Sequence, residues 1–527
     1  MIKQESNSPN WFRFLGIAIL VIGICFRFAH LDSKVYWHDE AYTSLRISGY
    51  TSAELRNERY ERGVIRPEDL QKYQGPNDEK SLMGTINGLA KEEPQLPPLY
   101  FLMVRLWVQY FGYSVAMMRS FSAIISLLAF PCIYFLAVEL FKSSSVGWLA
   151  VSLIAVSPFH LLYAQEARPY SLWTVTILLS SWTLLRAIRT KTKLSWVIYA
   201  GTLTVGLYGY LFSILVAIAH GIYVFLTEGF RWSKTAIAYV MSFLAAIVAF
   251  SPWLLFVISG LRQIEGGVSK STGEGMSVLK LTKNLVENSS KIFIDFMPRL
   301  LQPDDSPYVF LLFLPIILSL VGLFAYSVYF VVSRTEQRVW LLIVTLGAVP
   351  LLTLILTDLI LQEAQSSASR YLIPSYLAVE LSVAYLLATN FTSIWQQRLL
   401  RLVTIGVILG GVLSCAIISP AKFWWNKHGE YYTPQIARRI NQSSQPLVVT
   451  GGNPGRVFAL NYLLDNQVSI LLLNKGNPPN HIDANQFSDV FFFTPSQELR
   501  LKLAKRGYKL KPLINEWEGR SLWRLDK

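Results

Sequence analysis

In this chain of 527 residues, 52% are hydrophobic and only 16% charged, against about a quarter charged in soluble domains, which excludes an ordinary water-soluble globule. The net charge of +14 is read as cytoplasmic loops and headgroup contacts, where Lys and Arg of multispanning chains gather, and not as a nucleic-acid surface. Each of the three cysteines, Cys25, Cys132 and Cys415, lies inside an apolar run, so neither a disulfide framework nor a thiolate metal site is indicated.

The first apolar run, 12–29, has basic residues upstream like a signal peptide, but it leads into His30-Leu31-Asp32 with no small-x-small cleavage pattern. It is read as a retained helix. Further stretches of roughly 17 to 25 apolar residues, long enough to cross a bilayer, fall at 115–141, 145–163, 171–188, 195–209, 211–227, 236–258, 308–332, 339–358, 372–389 and 402–420. The expected fold is therefore mainly α, a polytopic bundle of about eleven spans, give or take two. The spans at 195–209 and 211–227 are short, and Gly206-Leu207-Tyr208-Gly209 would let them form one bent hairpin.

Basic clusters mark the cytoplasmic side: Lys142, Arg186 to Lys193, Arg231 to Lys234, Arg334 to Arg338 and Arg398 to Arg401, whereas Leu361 to Ser369 has no Lys or Arg. This alternation holds if Leu99 to Phe111 lies in the outer interface as an amphipathic helix and does not cross. The N-terminus then faces the cytoplasm. A first outer loop of about 30–114, an outer loop of 259–307 and everything after Pro420 face outward. The tail, 421–527, changes character: Pro446 to Thr450 and Asp489 to Thr494 read as strands and Glu498 to Arg506 as helix, suggesting a small extracytoplasmic α/β domain after a membrane domain of 1–420. No internal repeat with broken helices points to a transporter.

Along the outer side, three segments carry chemistry. Asp39 and Glu40, in Tyr36-Trp37-His38-Asp39-Glu40-Ala41-Tyr42-Thr43, follow the first span by about ten residues, close to the membrane surface; they also suit the start of a helix, whose dipole favours acids. Arg168, in Gln165-Glu166-Ala167-Arg168-Pro169-Tyr170, is a cation in an otherwise aromatic outer turn, placed for a lipid phosphate or for snorkelling and pairing with Glu166. Arg370, in Ser369-Arg370-Tyr371-Leu372-Ile373-Pro374, puts a second arginine at the outer end of a span. A base for an acceptor proton and cations for a phosphate leaving group are what glycosyl transfer from a lipid phosphate needs.

Other motifs say less. Gly451-Gly452-Asn453-Pro454-Gly455 suits a tight turn or an anion-binding nest but not a dinucleotide fingerprint. Asn288-Ser289-Ser290 is a glycosylation pattern. Asp304-Asp305 or Asp39-Glu40 could take a hard cation, but no ligand set demands one, so no metal and no cofactor is assigned.

Taken in order, Trp37-His38-Asp39-Glu40-Ala41, Pro97-Pro98-Leu99-Tyr100, Gln165-Glu166-Ala167-Arg168-Pro169-Tyr170 and Arg370-Tyr371-Leu372-Ile373-Pro374 resemble the bacterial branch of the protein-mannosyltransferase-like membrane glycosyltransferases, of the GT-C class and related to the aminoarabinose transferases. The resemblance covers most of residues 10 to 390. It implies a polyprenyl-phosphate sugar donor, inversion at the anomeric carbon, and an acceptor that is lipid, glycan or protein, in the plasma (inner) membrane. It implies Asp39 as catalytic base, Glu40 beside it as a supporting or acceptor-binding carboxylate, and Arg168 and Arg370 on the donor phosphate. His38, Glu166, Tyr170 and Tyr371 fall in or behind the pocket. The chain departs from relatives that carry a histidine just before Pro-Pro-Leu-Tyr: here stand Gln95-Leu96, which leaves the acceptor open. Two other readings use the same fold: a non-catalytic carrier or assembly protein for lipid-linked sugars, and a ligase or polymerase of lipid-linked glycans.

Overall fold

A computed structural model describes residues 10–60, 62–268, 278–296, 307–361, 364–389, 391–474, 486–517 and 520–526. The chain divides into two compact units, one of Met1–Leu31, Glu93–Tyr100 and Arg119–Pro420, the other of Asp32–Glu92, Phe101–Met118 and Ala421–Lys527.

The first unit is helical, and each of the eleven apolar segments forms helix. Seven helices among the described residues are long and apolar enough to cross a membrane: Val115–Phe141, Tyr170–Thr190, Lys234–Gly260, Phe313–Arg334, Gln337–Leu361, Ser369–Ala388 and Ile394–Ile418. An eighth span is made by Ser144–Ala155 and Pro158–Ala164, bent by 61°. Pro158 causes the bend, because it brings no N–H to the preceding turn; Ser157 caps the new helix by accepting from the His160 N–H at 3.4 Å. Two glycines make room for this corner. A Cβ on Gly23, in the helix Asn10–Phe28, would strike the Ala155 carbonyl, and one on Gly411 would lie 2.7 Å from the Val156 carbonyl. Lys193–Gly209 and Ser213–Thr227 hold 17 and 15 residues, about 25 and 22 Å at 1.5 Å per residue, short of a hydrocarbon core of about 30 Å. Tyr210 stands in the break between them with extended backbone. Leu99–Phe111 is a helix of 13 residues, about 20 Å long and too short to span.

The second unit is α/β. Among the described residues its six strands are β1 (Val64–Ile65), β2 (Pro446–Thr450), β3 (Ser469–Leu472), β4 (Asp489–Phe493), β5 (Lys509–Trp517) and β6 (Arg520–Asp526), in the order β1-β3-β2-β4-β6-β5. The central β2 runs parallel to both β3 and β4 and is buried along its whole length, as parallel strands covered on both faces are. Leu447, Val449, Val490 and Phe492 pack with Leu499 and Leu503 of the helix Gln497–Lys505. β1 comes from the first loop and pairs antiparallel with β3, Val64 opposite Leu471. The tail therefore shares one sheet and one unit with the loop.

Candidate active site

The helix His38–Ser48 begins with Asp39 and Glu40 in its first turn, where its dipole favours carboxylates, and most of it is buried. Two arginines fix it from the far end: Arg105 donates to the Ile47 carbonyl at 2.5 Å, and Arg46 pairs with Glu92 at 2.7 Å. Its two acids are treated differently. Glu40 is wholly buried and pairs with Lys427 Nζ at 2.7 Å, while Lys427 also donates to the Val35 carbonyl at 3.1 Å. Asp39 keeps about a fifth of its side chain exposed, so it is the acid of the two that a substrate can reach.

Between Asp39 and the tail lies His38. Its Nε2 is 3.3 Å from Asp39 Oδ1, and its Nδ1 is 3.4 Å from Glu430 Oε1 and 3.5 Å from an Arg520 nitrogen. Glu430 is buried, pairs with Arg520 and accepts from Thr433 Oγ1 at 2.5 Å. Burial alone would raise its carboxyl, but its contact with the His38 ring and the charge of Arg520 outweigh that and hold it below the ordinary carboxylate range. The Trp37 ring meets His38 edge-on at 4.8 Å.

In the membrane unit, Gln165 Nε2 donates to the Phe26 and Ala29 carbonyls, both at 2.8 Å. These carbonyls sit at the end of Asn10–Phe28, where they have no partner within their helix, so the bond pins the turn that follows. Within that turn Glu166 is wholly buried and Arg168 nearly so, and the Arg168 N–H closes onto the Glu166 carbonyl at 2.7 Å. Tyr170 starts the next helix, its ring 5.0 Å from Tyr163 and 5.9 Å from Tyr210. Arg370 lies in the short turn Ser369–Leu372, its guanidinium 5.2 Å over the Tyr371 ring, which in turn meets Phe212 at 5.0 Å. The Tyr210 ring also meets Phe212 at 5.8 Å, so one run of rings links the turn of Arg168 to that of Arg370. Two elements hold the Arg370 turn. Buried Asp358 accepts from the Gln365 and Ser366 N–H groups, both at 2.7 Å, and Asn284 and Asn288 donate to Ser367, both at 2.9 Å.

The structure thus gathers Glu166, Arg168, Tyr170, Arg370 and Tyr371 in the membrane unit, and His38, Asp39 and Glu40 in the other. Sequence reasoning missed Tyr210, Lys427, Glu430 and Arg520. Tyr210 was detectable from the break between two short helices, and Lys427 and Glu430 from the charged turn soon after the last span. Nothing local marks Arg520. Asn288 is buried and engaged with Ser367, which gives the glycosylation pattern a structural use. Asn453 accepts both from the Gly455 N–H at 2.9 Å and from Tyr42 at 2.7 Å, so the glycine segment is a capped turn. Among the described residues no three of His, Cys, Asp and Glu cluster to hold a metal; Asp304 and Asp305 lie outside the described residues.

The architecture is similar to that of ArnT from Cupriavidus metallidurans bound to undecaprenyl phosphate, with a TM-score of 0.52 over 98% of both chains at 12% identity. Residues 95–256 match the sequence model of the family described as dolichyl-phosphate-mannose-protein mannosyltransferase. These likenesses are to membrane glycosyltransferases of the GT-C type. The same transferase fold is matched by ArnT of that organism in the apo state, with a TM-score of 0.52 over 97% of each chain at 12% identity. It is also matched by the oligosaccharyltransferase AglB from Archaeoglobus fulgidus in complex with an inhibitory peptide and a dolichol-phosphate. There the TM-score is 0.50 at 12% identity, over 96% of this chain and 73% of that one. At this identity the likeness to these structures is one of fold. No curated protein matches the sequence.

Proposed function

We propose that this chain is a glycosyltransferase that takes a sugar from a polyprenyl-phosphate donor and passes it, with inversion, to a lipid, glycan or protein acceptor at the outer face of the plasma (inner) membrane. In this reading the N-terminus is cytoplasmic and the 421–527 tail lies outside. Asp39 is the general base, Glu40 supports it from within its ion pair, and Arg168 and Arg370 stabilise the departing lipid phosphate. The observation that carries the reading is that one run of rings, Tyr371, Phe212, Tyr210 and Tyr170, joins Arg370 to the turn that holds Arg168, far apart in the chain. Two cations within one aromatic, mostly buried cluster suit an anion arriving on an apolar tail. The similar ArnT and AglB structures hold undecaprenyl phosphate and dolichol-phosphate, the class of leaving group proposed here. Direct displacement needs only a base and a stabilised leaving group, so no cofactor is assigned.

The test is incubation of the full chain in nanodiscs with a panel of radiolabelled polyprenyl-phosphate sugars and a membrane extract as acceptor. Asp39→Asn should lower sugar release by about a hundredfold or more while donor binding persists. Binding without release by the wild type, with extract present, would instead indicate a carrier. Consumption of lipid-linked oligosaccharide but no monosaccharide donor would indicate a ligase or polymerase.

A further inference from the structure

Resting on the reading of Asp39 as base, we infer that Glu430 and Arg520 are positioning residues for the reaction: they set the ring of His38, and through it the carboxylate of Asp39. Glu430 and Arg520 lie far along the chain from Asp39, yet one imidazole joins them to it, with Asp39 on Nε2 and the Glu430–Arg520 pair on Nδ1. Which ring nitrogen carries the proton is decided by what the other nitrogen faces. Nδ1 faces both an oxygen of Glu430, which accepts a ring proton, and a nitrogen of Arg520, which gives one, so the balance of this pair decides what Nε2 presents to Asp39. Where Arg520 donates to Nδ1, a neutral ring carries its proton on Nε2, directed at Asp39 and aiming that carboxylate. Were Nδ1 to donate to Glu430 from a neutral ring, the Nε2 lone pair would face the Asp39 carboxylate and repel it.

The surroundings are shaped for this arrangement. A Cβ on Gly429 would lie 3.1 to 3.4 Å from the Arg520 guanidinium, and one on Gly455 would lie 2.8 Å from the Tyr42 ring and 2.9 Å from the His38 carbonyl. One glycine thus seats the guanidinium beside Glu430, and the other presses the helix Pro454–Asn461 onto the backbone of His38. Thr433 binds the second oxygen of Glu430, which leaves Oε1 for His38 and Arg520. The neighbouring charges, Glu40 and Lys427, neutralise one another.

Two measurements on the full chain in nanodiscs decide the matter. In the first, Glu430→Gln and Arg520→Lys are assayed for sugar release, alone and on a His38→Gln background. Each should lower kcat by about tenfold to a hundredfold, leave donor KM within about twofold, and add nothing once His38 is gone, because residues acting through one another are not additive. Full additivity with His38→Gln would overturn the inference. In the second, the protein carries ring-15N histidine, with the His38 signals identified by their loss in His38→Gln. Glu430→Gln and Arg520→Lys should move the His38 ring-nitrogen signals and leave those of the other five histidines in place. Unmoved His38 signals would overturn the inference. If the wild type turns over no donor, the proposed function fails while the ring signals still decide the positioning.

Discussion

At the residue scale, the first acids of the helix His38–Ser48 divide the labour: one stays accessible and the other is consumed by an ion pair in the core. Lys427→Met would strand the Glu40 carboxylate without its buried cation, a loss of about 3 to 5 kcal/mol for such pairs. Glu40→Gln combined with Lys427→Met should recover most of it, and thermal unfolding of the purified protein would show both. Glu430 makes a pH-dependent contribution of the opposite kind to its neutral replacement. Its folded-state carboxyl is held below the ordinary value, so the ionised form stabilises fully above that value and the contribution is lost as pH falls through the lowered one. The unfolding midpoint of the wild type should therefore drop more steeply below about pH 4.5 than that of Glu430→Gln. Asp39, Arg168 and Arg370 stand out as candidates in the sequence because each stands beside a span end, a local signal. Their neighbours were not, since Lys427 approaches Glu40 from 387 positions away and no periodicity spans such a distance.

At the element scale, the helices were readable one by one because hydropathy is summed over windows no longer than a span. What hydropathy cannot show is how closely two backbones approach, and the corner at Val156-Ser157 depends on that. Gly23→Ala and Gly411→Ala each place a methyl against a carbonyl of this corner, where neither backbone can give way, at a cost of about 1 to 3 kcal/mol by overpacking. Differential scanning of detergent-solubilised variants should show a lowered midpoint, while Gly201→Ala, which meets nothing within 4 Å, should leave it unchanged or raise it. Of the strands, β2 and β4 were legible as apolar runs bounded by turn residues. β1 has only two residues and β5 carries Lys509, Lys511 and Pro512, so neither has the alternation by which a strand is recognised.

At the scale of the whole molecule, the sequence shows a change of composition after Pro420 but could not show that Asp32–Glu92 shares a compact unit with the tail. A chain cut after Pro420 would lose five of the six strands, Lys427 and Glu430. Its 32–92 segment should then be nicked by trypsin under conditions that leave the full chain intact, as limited proteolysis followed by mass spectrometry would show. The pairing of β1 with β3 also bears on how the protein is made. Translation proceeds at about 5 to 20 residues per second, so roughly 20 to 80 seconds pass between the emergence of Glu40 and that of Lys427. Throughout that interval the first loop carries an acid awaiting its cation and a strand edge awaiting its neighbour. Its sequence must therefore remain soluble and uncommitted while the helices between are inserted, a demand on the nascent chain that the finished structure no longer displays.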